Sequence, residues 1–147
     1  LGGIYYDGIS VEKDLKKAHS LYLIAAKRGE LWCKVKIADM YRDGIGVEQD
    51  LDAALKWYKE ASELGNAPSM SAIINLYASG AITDDEVYAN AFAKLTSLAE
   101  GGNVDALRRL GGIYYDGISV EKDLKKASIY YERLVKLGNS AYINKVL

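Results

Sequence analysis

One block of 18 residues occurs twice in this chain, letter for letter. Residues 1–18 read LGGIYYDGISVEKDLKKA, and residues 110–127 repeat the same sequence. A chance match of this length is not credible. Self-similarity at a fixed spacing is typical of solenoids, in which each unit stacks on the next to bury a continuous core. The duplication therefore predicts a repeat architecture.

The spacing of recurring residues gives the length of the repeat. Three sets of anchors advance along the chain by 36 or 37 residues: Gly29, Gly65, Gly102 and Gly138; Tyr5, Tyr41, Tyr77 and Tyr114; and Gly8, Gly44, Gly80 and Gly117. We predict one domain over residues 1–147. Its repeats are expected at about 1–30, 31–66, 67–103, 104–139 and 140–147, of which the first and last are partial.

Each repeat is predicted to form two helices, A and B, joined by a tight loop. In the second repeat, helix A is expected over residues 31–43 and helix B over residues 51–64. Gly44 follows helix A, where glycine can adopt the left-handed conformation that ends a helix. Asp50 precedes helix B and can accept hydrogen bonds from its free N–H groups.

The same helix-capping chemistry is expected in the other repeats. Asp14 and Asp123 occupy the repeat position of Asp50, so each is predicted to precede a helix B. The third repeat departs from the pattern, with GAITDDEVYAN in place of the usual loop. There Thr83, Asp84 or Asp85 are the candidate caps.

Helical periodicity separates core positions from exposed ones. A small residue such as Ala38 or Gly111 falls on the arc of helix A that contacts the paired helix, where it allows close approach. Core tyrosines are expected at Tyr41, Tyr58, Tyr114 and Tyr131. Tyr6 and Tyr115 project about 100° further round helix A, so we expect them to face outward.

These residues resemble the Sel-one-like repeat (SLR) family, a branch of the tetratricopeptide-like helical solenoids. The fourth repeat carries the pattern at Ala106, Leu110, Gly111, Tyr114, Gly117, Val120, Asp123, Lys126, Ala127, Tyr130, Tyr131 and Gly138. The resemblance implies an all-α, right-handed α/α solenoid of about four helical hairpins. It also implies an adaptor or scaffold, as in bacterial signalling, host interaction and eukaryotic protein quality control, rather than an enzyme.

Composition excludes several classes of partner. The chain has 19 Lys and Arg against 20 Asp and Glu. This near balance predicts neither nucleic-acid binding nor membrane insertion. The single cysteine cannot form an internal disulfide, which favours the cytoplasm but leaves the periplasm open.

The residues that carry catalysis or bind cofactors are sparse. His19 is the only histidine, and it is expected at the surface or half-buried, whereas Cys33 is expected in the core. The acidic run 84–86 is interpreted as the start of a helix, and the sequence Gly44-Ile45-Gly46 as a turn. We therefore predict no catalytic residues, no metal and no cofactor.

The exposed arc of helix A is the candidate binding surface. In solenoids of this type helix A lines the concave face, an inference from the resemblance. Aromatic and arginine side chains dominate interface hot spots, and arginines suit a partner with acidic groups. The candidate residues are Tyr6, Trp32, Asp39, Arg42, Asn75, Arg108, Arg109 and Tyr115.

Three non-enzymatic functions follow from this surface. The first is a scaffold that binds a protein or peptide in the concave groove. The second is an immunity-type inhibitor that blocks a bacterial toxin, as in some members of the family. The third is a structural unit that self-associates weakly, end to end, through the last residues of the solenoid.

Overall fold

The computed structural model describes residues 8–146, and all the regular structure in this range is helical. The elements are α1 (Gly8–Lys27), α2 (Leu31–Asp43), α3 (Leu51–Glu63), α4 (Ala67–Ala78), α5 (Asp85–Glu100), α6 (Val104–Asp116), α7 (Leu124–Lys136) and a short 3-10 helix (Ser140–Lys145). No strand is present among these residues. The predicted all-α fold class is confirmed.

The second repeat follows the predicted hairpin closely. Helix α2 has the predicted ends, and α3 ends one residue before the expected position. Gly44 ends α2 at φ 70° and ψ 40°, in the left-handed conformation, and its N–H donates to the carbonyl of Met40. The Asp50 carboxylate accepts a hydrogen bond of 3.0 Å from the N–H of Ala53. Local capping chemistry thus determines both ends of the loop.

The other helices of the later repeats begin in the same way. A side-chain oxygen accepts from the backbone N–H three residues further on at Asn66, Asp84, Asn103 and Asp123. Asp84 is therefore the cap of the third repeat, where the sequence left three candidates. Asp85 and Glu86 lie in the first turn of α5, as predicted for an acidic run at a helix start.

The first copy of the duplicated block does not form the expected loop. Helix α1 runs without interruption from Gly8 to Lys27, so Asp14 lies inside a helix and the prediction that it caps one is wrong. In the second copy, Gly117 ends α6 in the left-handed conformation and Asp123 caps α7. Identical letters therefore form a helix in one place and a loop followed by a helix in the other.

The chain divides into two compact units, one ending at Leu64 and the other beginning at Gly65. In the first unit, α2 packs against both α1 and α3. Its fully buried side chains include Ile37, Ala38 and Tyr58. The prediction of a single domain stays a prediction.

A close approach joins α1 to the α2–α3 loop within the first unit. Gly46 has φ 72°, and a Cβ atom there would lie 2.3 Å from the carbonyl oxygen of Leu15. A side chain at position 46 would collide with the backbone of α1. In the fourth repeat, Ser119 occupies the loop position equivalent to Gly46, and it also has a positive φ. Its hydroxyl lies 2.9 Å from the hydroxyl of Tyr88 on α5.

In the second unit, α6 packs against α4, α5 and α7. Leu95, Leu107, Leu110 and Leu134 are fully buried between these helices. Gly111 confirms the expected close approach, because a Cβ atom there would lie 2.9 Å from the Tyr131 ring. This contact fixes the spacing of α6 and α7.

His19 is more buried than the sequence suggested. Only 9% of the residue is exposed, and its ring meets that of Tyr41 edge to face at 5.0 Å. The expectation of a surface or half-buried histidine is wrong because α1 turns this side chain toward α2. Cys33 is buried as predicted.

Candidate partner-binding surfaces

A cleft of about 250 Å³ with a mixed polar and apolar lining lies between α4 and α6. We call it the α4–α6 cleft, and its lining consists of Ser71, Asn75, Arg108, Arg109, Gly112, Ile113, Asp116 and Ile118. The structure thus brings together three predicted contact residues, Asn75, Arg108 and Arg109. They come from the first helices of the third and fourth repeats, as the sequence pattern indicated.

The two arginines of the cleft share one carboxylate. An oxygen of Asp105 accepts from Arg108 and, at 3.0 Å, from Nε of Arg109. Arg109 also donates to the hydroxyl of Ser71 at 2.8 Å. The hydrogen bond with Asp105 raises the pKa of Arg108 above its ordinary value, so its charge is constant at physiological pH. The two guanidinium groups and the Asp105 carboxylate carry one net positive charge, which the carboxylate of Asp116 in the same cleft offsets.

An aromatic cluster lies beyond the α4–α6 cleft, at the end of α6. It consists of Tyr115, Tyr131 and Tyr142. The rings of Tyr131 and Tyr142 stack at 5.2 Å, and Tyr115 meets Tyr131 edge to face at 6.2 Å. Tyr115 is 36% exposed, which agrees with its expected outward position.

Sequence reasoning missed two members of this region, Tyr142 and Lys145. Both belong to the 3-10 helix, in the partial last repeat, where few positions could be compared. One signal was present, because Tyr142 falls at the repeat position of Ala106 and so replaces a small core residue with a large ring.

In the first unit, Trp32 is the most exposed aromatic side chain of the predicted set. It is 60% exposed and packs edge to face on Tyr22 at 5.5 Å. The ammonium of Lys36 lies 5.6 Å from the centre of the indole ring. An exposed indole beside a cation is a suitable contact for a partner.

Asp39 and Arg42 are already paired within their own hairpin. The hydroxyl of Tyr58 donates to Asp39 at 2.5 Å and accepts from Arg42 at 2.9 Å. Arg42 also donates through Nε and Nη2 to the two oxygens of Asp43. Burial, followed by the bond to Asp39, raises the pKa of Tyr58. A partner that used Arg42 would therefore have to compete with these bonds, and its contact role stays a prediction.

The family can now be decided from the sequence itself. The model of the Sel1 repeat matches residues 1–30, 34–66 and 104–139, which together make up more than half of the chain. The chain belongs to the Sel1 repeat family. Proteins of this family generally serve as scaffolds for protein–protein interaction and are generally non-catalytic.

Two solved structures share the Sel1 repeat fold of this chain. A Sel1 repeat protein from Oxalobacter formigenes is 29% identical with a TM-score of 0.66, over 96% of this chain and 57% of that protein. The protective antigen c5321 of uropathogenic Escherichia coli, which displays an SLR fold, is 27% identical with a TM-score of 0.64, over 86% of this chain. This chain spans just over half of the first protein and 27% of the second. No curated protein sequence matches it.

The Sel1 repeat model leaves out residues 67–103, the repeat whose loop departs from the pattern. The structure nevertheless has a helical hairpin there, formed by α4 and α5. The helix-A position of that hairpin supplies Asn75 and Ser71 to the α4–α6 cleft. The divergent repeat therefore still contributes to the candidate surface.

The Sel1 repeat chain shows no grouping of His, Cys, Asp and Glu within residues 8–146 that could hold a metal ion. No helix in that range combines the length and apolar character needed to cross a bilayer. Tyr6, the remaining predicted contact residue, lies outside the residues that the structure describes.

Proposed function

We propose that this Sel1 repeat chain is a non-enzymatic scaffold that binds a segment of a protein partner on its helix-A surfaces, with the α4–α6 cleft as the main contact. The observation that supports this proposal is the meeting of Arg108, Arg109 and Asn75 in one cleft. Each of these side chains offers hydrogen-bond donors at a surface with space for a peptide.

The hydrogen-bond donors of the cleft indicate what the partner segment carries. Arg108 and Arg109 share the single carboxylate of Asp105, so N–H donors of both guanidinium groups remain for an acidic group of the partner. Arginine recognises carboxylates through two parallel hydrogen bonds. The exposed amide of Asn75 has both donors and an acceptor, so it can bind the backbone of an extended segment.

The first unit offers a second contact of a different kind. Trp32 presents most of its indole to solvent next to Lys36. Tryptophan is enriched among residues that dominate binding free energy. We therefore expect truncation of Trp32 to weaken a partner contact of the first unit without disturbing the α4–α6 cleft.

Adjacent glycines in α6 allow a direct test of the cleft. Gly112 lines it, and a Cβ atom at this position would meet nothing closer than the Tyr131 hydroxyl at 3.8 Å. Gly112→Phe should fill the cleft and weaken partner binding at least tenfold, whereas Gly112→Ala should leave binding nearly unchanged. Gly112→Phe should remain folded under the assay conditions, and Gly112→Ala should be slightly more stable than the parent chain.

The partner for this measurement can be isolated by photo-crosslinking. A benzophenone residue in place of Asn75 should form adducts with the partner, whereas one in place of the exposed Lys94 on α5 should not. Equal adducts from both positions, together with full binding by Gly112→Phe, would show that the cleft is not the binding surface.

The two other hypotheses give different results in the same experiments. If the chain is an immunity-type inhibitor, the crosslinked partner is a toxin whose activity falls on binding. If it is an end-to-end assembly unit, the partner is another copy of the chain, and sedimentation shows larger species as concentration rises.

A further inference from the structure

The ammonium group of Lys145 rests on two tyrosine rings of the aromatic cluster. Its Nζ atom lies 4.8 Å from the ring centre of Tyr115 and 5.4 Å from that of Tyr131. A cation within about 6 Å of an aromatic face is attracted by the negative face of the ring. Two rings on one ammonium form a small aromatic cage.

One ring of the cage, that of Tyr131, is held by packing that does not depend on Lys145. Tyr131 is only 2% exposed and lies against the backbone of Gly111. Burial, followed by the nearby carboxylate of Asp116, raises the pKa of Tyr131 to about 12. The ring therefore stays neutral, and Asp116 adds a negative charge that favours a cation at the cage.

The segment that carries Lys145 packs on α7, with the ring of Tyr142 stacked on that of Tyr131. None of the residues in the 3-10 helix is buried, and Ile143 is 59% exposed. Two backbone hydrogen bonds of this segment, from Tyr142 and Val146, are 3.3 Å long. Segments with few buried contacts open at low free-energy cost. Lys145 can therefore leave the cage when the stack of Tyr142 on Tyr131 opens, while Tyr131 stays packed against Gly111.

We propose that Tyr115 and Tyr131 form a binding site for a lysine side chain of the partner segment, and that Lys145 fills this site when the partner is absent. The resident lysine shows which chemistry the site accepts, and the negative charge of Asp116 favours the same cation. The inference rests on the proposed function, because the partner must reach the same face of α6. A partner segment would then combine a lysine for the cage with an acidic group for Arg108 and Arg109.

The site can be tested with a defined peptide. The receiving chain carries Tyr142→Ala and Lys145→Ala, which empties the cage while leaving α6 and α7 intact. The probe is the heptapeptide SAYINKV, the sequence of residues 140–146, followed by NMR of the tyrosine ring signals. The matched control peptide has norleucine in place of lysine, which keeps the methylene stem and removes the charge.

We expect the lysine peptide to bind the emptied chain roughly fivefold more tightly than the norleucine peptide, as a partly exposed cation–π contact implies. The unaltered chain should bind it more weakly than the emptied chain does, because Lys145 competes. Adding Tyr115→Leu to the emptied chain should abolish the preference for lysine; Tyr115 is partly exposed, so the fold should persist.

Equal binding of the two peptides, or no binding of either, would overturn the cage. The scaffold function is tested separately by the crosslinks at position 75, which involve neither Lys145 nor a ring of the cage. If the emptied chain prefers the lysine peptide but no partner crosslinks at position 75, the cage is supported and the scaffold proposal is wrong. If a partner crosslinks at position 75 but the two peptides bind equally, only the cage is wrong.

Discussion

The two copies of the duplicated block differ in structure although they share every letter. Residues 8–18 belong to one continuous helix, α1, whereas residues 117–123 form a loop that leads into α7. In the first copy the side chains from Glu12 to Lys17 are exposed, so few contacts hold those turns in place. The difference must therefore arise from what surrounds each copy, not from the block itself.

The second copy is held in its loop by specific bonds. The N–H of Asp123 donates to the carbonyl of Tyr114 at 2.9 Å, and the Lys126 ammonium lies 4.7 Å from the Tyr114 ring centre. From outside the block, α5 supplies Tyr88, which bonds Ser119, and Phe92, which packs edge to face on Tyr114. Tertiary contacts of this kind override the weak local preference for helix.

The largest expected change in stability comes from replacing the equivalent leucines of the two copies, Leu15 and Leu124, with proline. Leu124 is the first residue of α7 and follows the extended Asp123, a position where proline is tolerated. Leu15 lies inside α1, where proline removes a hydrogen bond and costs up to about 3 kcal/mol. Leu15→Pro should lower both the stability to urea and the helical content over residues 8–14, whereas Leu124→Pro should change neither by much.

The exposed first turns of α1 limit how this result is interpreted. If those turns contribute little free energy, the stability change is small but the backbone chemical shifts of residues 8–14 still lose their helical values. Leu15→Pro with unchanged shifts and unchanged stability would contradict the continuous helix and make the two copies alike.

A second contrast comes from adjacent glycines in the second copy. Gly111→Ala places a methyl group against the Tyr131 ring and should destabilise the chain by about 1–3 kcal/mol. Gly112→Ala makes only an ordinary contact, 3.8 Å from the Tyr131 hydroxyl, and should stabilise the chain by about 0.5–1 kcal/mol through helix propensity. Thermal melts of the two variants test whether their stabilities change in opposite directions.

The same substitutions at Gly2 and Gly3 extend the contrast to the first copy. A loss of stability with Gly2→Ala that equals the loss with Gly111→Ala would show that both copies make the same close helix contact. Equal effects of Gly111→Ala and Gly112→Ala would instead contradict the tight α6–α7 spacing.

Replacing the serine shared by the two copies, Ser119 or Ser10, should change the stability by a smaller amount. Whether glycine or alanine is the more stable replacement depends on the copy. Ser119 has φ 61°, so Ser119→Gly should be more stable than Ser119→Ala by about 1 kcal/mol. Ser10 lies in helix α1, so there the alanine variant should be the more stable by up to about 1 kcal/mol. Chemical denaturation of the four variants measures both differences, and the same order in both copies would show that both form the same structure.

The sequence predicts those parts of the fold that depend on local chemistry. Gly44 and Asp50 determine the ends of their loop through bonds to residues three or four positions away, and such bonds recur in the third and fourth repeats but not in the first. The cleft residues Arg108 and Arg109 were also among the predicted contacts, because helical phase exposes Arg108 with Arg109 beside it and the family resemblance assigns helix A to the concave face. Their pairing with Asp105 could have been predicted as well, since arginines three and four residues after an aspartate share its face of a helix.

The features that the sequence could not predict depend on contacts between residues that are far apart in the sequence. The continuous helix α1 depends on what packs against the first copy, and the position of Tyr142 depends on a partial repeat with no complete pattern for comparison. The burial of His19 belongs to the same class, because it follows from the packing of α1 on α2.

His19 provides the smallest predicted effect, at the first position where the two copies diverge. Its equivalent, Ser128, is also buried but has no charge to gain. Burial lowers the pKa of His19, and no residue that the structure describes bonds its Nε2 atom. The unfolded chain therefore takes up a proton at a higher pH than the folded chain does. The stability from the neutral histidine is complete above the unfolded pKa, about 6.5, and is lost as the pH falls below it.

Replacing His19 with the serine of the second copy isolates this effect. His19→Ser costs packing at every pH, so the informative quantity is the change in unfolding free energy between pH 7.5 and 5.5, not its absolute value. That change should be smaller in His19→Ser than in the parent chain, because carboxylates titrate alike in both. An equal loss in the two chains would mean that His19 gains its proton as easily when folded as when unfolded, so α1 would not bury it against Tyr41.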